Sequence, residues 1–307
     1  MNILVTGGCG YVGSVLTGKL LEDGHHLTVV DALWFGNHLA SHDNLKIVKA
    51  DIRDIDSIPM AGVDSIIHLA NVANDPCSEL NAKLSWEVNV LASMQLAEKA
   101  IANGVGQFIY ASSGSVYGVK DEPEVTEELP LVPISDYNKT KMISERVLMS
   151  YRDRITIQCI RPATVCGVSP RMRLDLSVNM LTMQALVNGK ITVYGGEQTR
   201  PNITIMDLVD VYRHFLKLGD SAPGTFNAGF ENISILDIAK MVTEQVPAEI
   251  VVTESNDPRS YRQNSDKLLS TGFTPRFSVR DAISQVVEAY RTGKIKDDEG
   301  CYNIKAM

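Results

Sequence analysis

Two hydrophobic rhythms alternate along the first half of the chain. Asn2 to Thr6 (Asn-Ile-Leu-Val-Thr) reads as a short buried strand. Val15, Leu16, Leu20 and Leu21 then recur at helical spacing, and Gly24 closes that run. Leu27 to Asp31 returns to a strand pattern, as do Leu45 to Ala50, Val63 to His68, Gln107 to Ala111 and Ile155 to Pro162. Helical segments fall between them, around Trp86 to Asn103 and from Ser135 or Asp136, either of which suits a helix cap. Strands and helices alternating at these lengths predict an α/β fold: a Rossmann-type, doubly wound parallel sheet covered by helices on both faces.

The second half is less regular. Met206 to Leu218 predicts a helix, Thr225 to Gly229 a strand, Ser234 a helix cap, and Ser278 to Tyr290 an amphipathic helix. The tail from Lys294 to Met307 is polar and predicts a frayed end.

The loop after the first strand is Gly7-Gly8-Cys9-Gly10-Tyr11-Val12-Gly13. Its context of strand, glycine loop, helix, strand and acid is what makes a glycine motif informative. Gly7 permits the tight turn, Gly10 lets the backbone approach a pyrophosphate, and Gly13 lets the helix pack on the strand. Tyr11 and Val12 open the helix, whose N–H groups face an anion. Asp31 is placed to accept the adenosine ribose hydroxyls and to repel a 2′-phosphate, which favours NAD over NADP. Asp51-Ile52 falls where an acid meets the adenine edge, and Leu69-Ala70-Asn71 at the mouth of the cleft. His68, at a strand end, reads as structural.

Ser112-Ser113-Gly114-Ser115 follows the Gln107–Ala111 strand, and Tyr137 and Lys141 stand one helical turn apart on one face. A lysine cation beside a phenol favours the phenolate. Tyr137 then serves as base toward a sugar hydroxyl, with Ser113 aligning that hydroxyl and Lys141 also reaching the cofactor ribose.

Composition narrows the partners. The 307 residues carry a formal net charge of −8 without a Lys/Arg cluster, which argues against nucleic acid. No apolar run nears the ~18 residues that span a membrane. Met1-Asn2 leads straight into a strand, with no signal-peptide pattern. Five scattered cysteines and six histidines show no metal-ligand spacing, so no metal is expected and the thiols suit a reducing cytoplasm.

These motifs together resemble the extended short-chain dehydrogenase/reductases, in the NAD-dependent epimerase/dehydratase group that acts on nucleotide sugars. Gly7, Gly10 and Gly13 match the family's glycine loop, Asp31 its ribose acid, Asp51-Ile52 its adenine contact, and His68-Leu69-Ala70 its His-Leu-Ala segment. Ser113, Tyr137 and Lys141 match its catalytic triad, with Thr140 where Ser often precedes the lysine. Thr164-Val165-Cys166-Gly167 stands for a more usual Asn-Val-Tyr-Gly.

The resemblance implies an NAD-binding domain over 1–162, with 190–220 returning to it, and a nucleotide-sugar lobe over 163–189 and 221–307. It places Arg171, Arg173 and Asn179 near the nucleotide diphosphate, with Arg200 and Arg259 as further phosphate contacts. It also implies a homodimer pairing the helices around Trp86–Asn103 and Ser135–Tyr151. Dehydratase relatives carry Asp and Glu after the catalytic hydroxyl, where Gly114 and Ser115 stand here, which disfavours a 4,6-dehydratase. The Ser113-x-Ser115 pattern points to a 4-epimerase. A 4-dehydrogenase releasing its keto sugar, as on GDP-manno-heptose in capsule biosynthesis, shares the triad and stays open. A non-catalytic NAD-binding protein is disfavoured because Tyr137 and Lys141 are both present.

Overall fold

A computed structural model describes residues 1–255 and 260–306. Seven strands form one sheet: β1 (Asn2–Thr6), β2 (His26–Asp31), β3 (Leu45–Lys49), β4 (Ser65–His68), β5 (Gln107–Ala111), β6 (Thr156–Pro162) and, from far along the chain, Gly224–Ala228. In space they run Gly224–Ala228, β6, β5, β4, β1, β2, β3, and every pairing is parallel. The order reverses between β1 and β4, which opens a crevice beyond their carboxyl ends. Being covered on both faces, the central strands are continuously apolar: Ile3, Leu4 and Val5 are all buried, as are Ile66 and Ile67. One core layer packs the helices Tyr11–Glu22 and Ile205–Leu218 on the sheet, and the other packs Ala92–Ala102 and Asp136–Met149.

Five strands make the smaller lobe among the described residues. β7 (Thr164–Cys166), β8 (Lys190–Tyr194) and β9 (Thr199–Thr204) precede the seventh sheet strand, which is therefore β10, and β11 (Glu231–Ser234) and β12 (Glu249–Thr253) follow it. They form a β11-β9-β7 sheet and a separate β12-β8 pair. The helices Ser177–Asn188, Ile235–Thr243 and Val279–Arg291 share their apolar faces in one core.

Three boundaries differ from the sequence expectation. Of residues 190–220, only the Ile205–Leu218 helix returns to the large sheet; β8 and β9 stay with the small lobe. Conversely β10, expected in the small lobe, is the edge strand of the large sheet. Phe226 draws it there, with its ring centroid 4.7 Å from that of Phe215 on the returning helix. The tail is not frayed within its described part: Ile295, Cys301 and Asn303 are buried, and the Cys301 carbonyl accepts the Leu174 N–H at 2.9 Å. Short polar segments conceal such docking because two or three buried side chains leave no periodic signal.

His68 ends β4 fully buried, between Thr6 Oγ1 (2.6 Å from Nδ1) and Ser93 Oγ (2.8 Å from Nε2). Burial pushes its pKa down from 6.5 to about 3, with Lys141 adding to the shift. The folded chain thus keeps a neutral imidazole while the unfolded chain takes up a proton below 6.5. This contribution to stability is complete above pH 6.5 and is lost as the pH falls toward 3. Urea unfolding between pH 7 and 4 will show a shallower acid slope in His68→Gln than in the parent, by up to about 1.4 kcal/mol per pH unit. Identical slopes would mean that His68 titrates normally in the folded protein.

Candidate active site

The crevice between β1 and β4 holds about 1230 Å³ of open space and is lined from Asp31 at one end to Tyr137 and Lys141 at the other. Its floor is the glycine loop. A Cβ on Gly7, whose φ is +71°, would lie 2.6 Å from the Ala70 nitrogen. One on Gly13 would lie 2.3 Å from the Gly7 carbonyl oxygen. The Tyr11–Glu22 helix has Gly10 as its N-cap and receives no side-chain cap there. The first N–H groups of the helix therefore remain for a ligand, in the field of the helix dipole.

Asp31 ends β2. Its carboxylate accepts the backbone N–H groups of Cys9 (2.9 Å) and Leu33 (2.8 Å), which fixes its orientation toward the cleft. Burial raises its pKa, and these two N–H groups oppose the rise. Asp51 is held by Arg53 through Nε (3.1 Å) and Nη2 (2.7 Å), while Ile52 beside it is buried against the cavity. Leu69, Ala70 and Asn71 continue the lining, joined by Trp34 and Phe35, which no sequence motif signals.

At the other end, β5 delivers Ser112 and Ser113. Ser113 caps the short turn Gly114–Tyr117, its Oγ accepting the Ser115 N–H at 3.2 Å and lying 2.7 Å from Ser115 Oγ. Ser115 Oγ in turn donates to Asn138 Oδ1. The Asp136–Met149 helix is capped by Ser135, whose Oγ accepts the Asn138 N–H at 3.2 Å and donates to Asp75 Oδ1 at 2.6 Å. That cap fixes the first turn, which brings Tyr137 near Ser113. Asn138, fully buried, completes the Ser113–Ser115–Asn138 chain.

The helix is also tied from behind. Glu87–Leu91 is a π-helical turn, and Asn89 within it donates to Thr140 Oγ1 (3.0 Å) and accepts the Val72 N–H (2.8 Å). Such turns recur at functional sites because the widened ladder frees a residue for tertiary contacts.

The electrostatics of the Tyr137–Lys141 pair depart from the sequence expectation. Lys141 points at the strand end: Nζ donates to the Ala111 carbonyl at 2.8 Å, 4.8 Å from the Tyr110 ring centroid and 5.9 Å from that of Tyr137. Burial lowers its pKa to about 7, partly countered by Glu145. Burial likewise raises Tyr137 to about 12; the charge of Arg173 opposes the rise, the Asp75 carboxylate adds to it, and nearby Ser113 opposes it least. Arg173 lines the cavity and is held by Asp175 at 2.9 Å and 3.1 Å.

The predicted substrate residues divide. Arg171 lines the cleft. Asn179 does not: it is fully buried, accepting the Gly167 N–H (2.9 Å) and donating to the Arg173 carbonyl (2.9 Å) and the Tyr11 hydroxyl (3.1 Å). It fastens the two lobes at the glycine loop. Arg200 is half-buried on β9 opposite Ile233 and is not part of the cavity lining. Arg259 lies outside the described residues.

The cleft fits a dinucleotide on its own evidence. The glycine loop is a cradle with no room for side chains, and Asn71 Oδ1, Ser112 Oγ and Arg171 Nε are buried in residues lining the cleft without a hydrogen-bond partner. Among the described residues no group of three His, Cys, Asp or Glu side chains could hold a metal, and no helix is long and apolar enough to cross a membrane.

Fold and cleft together define a dinucleotide-dependent enzyme of the Rossmann class. Comparison with known proteins sharpens this: residues 3–229 match the profile of the NAD dependent epimerase/dehydratase family, to which the chain belongs. It is 31% identical to a UDP-glucose 4-epimerase of Mycolicibacterium smegmatis, over 95% of this chain and 99% of that one. It is 28% identical to UDP-glucuronic acid decarboxylase 1 of Xenopus tropicalis, over 94% of this chain and 72% of that one. The solved structure of a Bacillus cereus UDP-glucuronic acid 4-epimerase, in complex with UDP-glucuronic acid and NAD, superposes with a TM-score of 0.83 at 25% identity, covering 95% of this chain and 99% of the other. NAD is the cofactor.

A methyl group at Gly13 cannot coexist with the present loop, so Gly13→Ala will weaken NAD at least tenfold in calorimetric titration. Unchanged affinity in a folded variant would remove the glycine loop from the cofactor site.

Proposed function

We propose that the chain is a nucleotide-sugar 4-epimerase that works on a nucleotide-diphosphate sugar through Ser113, Tyr137 and Lys141. The observation that carries this reading is the character of the cleft's reacting end. The Tyr137 hydroxyl stands there near that of Ser113, close enough for Ser113 to act on its ionisation. Asp31 and Asp51, the carboxylates among the described cavity-lining residues, belong to the opposite, adenosine end, while Asp75, whose charge reaches Tyr137, is not part of the lining and accepts the Ser135 hydroxyl. Removing water across two sugar carbons calls for an acid and a base beside the sugar. Inverting one carbinol needs only a group that takes and returns a single proton.

NAD, when bound, supplies the acceptor and donor of hydride at the reacting carbon. Ser113 holds the C4 hydroxyl, and Tyr137 removes its proton as the 4-keto sugar forms. After the sugar turns in the pocket, Tyr137 returns the proton to the oxygen on the other face. Ser115 and Asn138 keep Ser113 in register for both passes. Lys141, buried beside the strand end, is placed to bind the cofactor ribose, with Gly7, Gly10, Tyr11, Val12, Gly13, Asp31, Asp51, Ile52, Leu69, Ala70 and Asn71 completing that site. The names of the relatives support UDP-sugars as the substrates to try first.

The test is product analysis by NMR on UDP-, GDP- and dTDP-sugars, with NADH absorbance followed alongside. A C4-inverted sugar without net NADH is expected. Accumulation of a 4-keto sugar or stoichiometric NADH would replace the epimerase by a 4-dehydrogenase. Tyr137→Phe should lower kcat by roughly 10²–10⁴, the usual contribution of a positioned acid–base group, while binding NAD normally.

The same reading includes a homodimer and a cytoplasmic setting, with a place in polysaccharide synthesis. Trp86 and Leu91 expose apolar side chains on the first of the helical segments expected to pair, and all five cysteines are free thiols. Light scattering will give twice the chain mass, and Trp86→Glu will shift it toward the monomer. A parent protein that runs as a monomer at micromolar concentration ends this part of the reading.

A further inference from the structure

Arg171 is the least satisfied cation near the cleft. It is 3% exposed, and its guanidinium carbon sits 3.9 Å from the Phe35 ring centroid. Nη2 donates to Asn303 Oδ1 at 2.6 Å, and Nε has no partner. No described carboxylate lies at ion-pair distance from it, although Arg173 close by is paired to Asp175. A buried guanidinium held by an aromatic face and a neutral amide, with Asp31 and Asp175 acting on it only from beyond ion-pair distance, retains an incompletely compensated charge. The groups facing the same space are the helix N-terminus behind Gly10 and the fixed carboxylate of Asp31. The first of these, like Arg171, attracts an anion.

Asn303 comes from the C-terminal segment, which docks across the lobes. Its own N–H donates to Asp175 Oδ2 at 3.3 Å, and Asp175 also accepts Asn74 Nδ2 at 3.2 Å. Cys301 and Ile295 pack in a cluster with Tyr11 of the glycine loop. The segment therefore bridges the helix-start loop at Asn74, the small lobe and the cofactor loop.

We infer that Phe35, Arg171 and Asn303 form a clasp over the adenosine half of the cleft, in which Arg171 binds the diphosphate of the dinucleotide and the C-terminal segment must lift for the dinucleotide to exchange. A diphosphate is also part of the nucleotide sugar. The position of Arg171 against Phe35 and within the field of Asp31 assigns it to the cofactor. The inference rests on NAD as cofactor and deepens the proposed function, because a clasped cofactor is recycled in place.

Stopped-flow fluorescence of bound NADH and calorimetry with UDP separate the two sources. In Arg171→Met, NADH should dissociate ten- to a hundredfold faster, with UDP affinity within twofold of the parent. Arg171→Lys should recover part of the loss, because the charge remains and the stacked fork does not. Asn303→Ala should speed both association and dissociation of NADH, the signature of a released strap. Loss of UDP binding with unchanged NADH kinetics would move Arg171 to the substrate. Unchanged NADH kinetics in all three variants, or equal losses of both ligands, would overturn the clasp. None of these readouts involves the sugar product, so the clasp and the epimerase reading can fail separately.

Discussion

Three backbones meet at the glycine loop with no space between them. Gly7 turns with φ +71° against the backbone at Leu69 and Ala70, and Gly13 presses on Gly7 and Gly8. This contact seats the Tyr11–Glu22 helix with its N-terminus at the β1/β4 crevice. Everything in the cofactor site follows from that placement: the dipole faces the diphosphate, and Asp31 comes level with the ribose. Tyr11 then reaches over to the small lobe, where its hydroxyl donates to the Gly167 carbonyl at 2.7 Å. A residue of the nucleotide loop thus also sets the lobe spacing. Asn179 and Ser169 bond to the same residue, at the Tyr11 hydroxyl and carbonyl respectively.

The reacting end depends on a second buried network. Arg161, at the end of β6, is held by Glu145 at 2.9 Å and 2.7 Å and donates to the Tyr117 hydroxyl at 2.7 Å. Tyr117 donates onward to Asn227 on β10. Glu145 lies on the helix that presents Tyr137 and Lys141. The pair is nearly inaccessible, so its attraction is offset by desolvation, and its value lies in fixing geometry between helix, turn and sheet. Ser135 caps the front of that helix and Asn89 holds Thr140 from the side, which fixes the turn that carries Tyr137.

Legibility in the sequence followed the range of the interactions. The parallel sheet, glycine loop and helix cap at Ser135 rest on local periodicity and short motifs, and these were readable. The sheet that β10 joins was not, because Thr225 to Ala228 gives the same strand signal beside any neighbour. The roles of Asn303, Phe35 and Asn138 depend on contacts between segments distant in the chain, and no spacing announces them. Asn179 shows the reverse: a motif position near the diphosphate by resemblance, it is consumed here by backbone bonds between lobes. The charge on the Tyr137–Lys141 pair differs from the expectation for a physical reason. Helical spacing brings two side chains to one face, but the Ala111 carbonyl decides where the ammonium points.

That last point bears on how the site works. Burial acts on the two groups in opposite senses, raising the phenol to about 12 and lowering the ammonium to about 7. Desolvation always favours the neutral form, so the enclosed pair is poised away from the phenolate–ammonium state. A working base therefore requires cationic field from beyond the Tyr-x-x-x-Lys motif. Arg173 contributes such a field from the small lobe, against the Asp75 carboxylate, and Asp175 fixes Arg173 while itself bound by Asn74 and Asn303. In the proposed mechanism the acid–base group sits on one lobe and part of its electrostatic control on the other. On that proposal lobe spacing, set at Tyr11, bears on the chemistry as well as on binding.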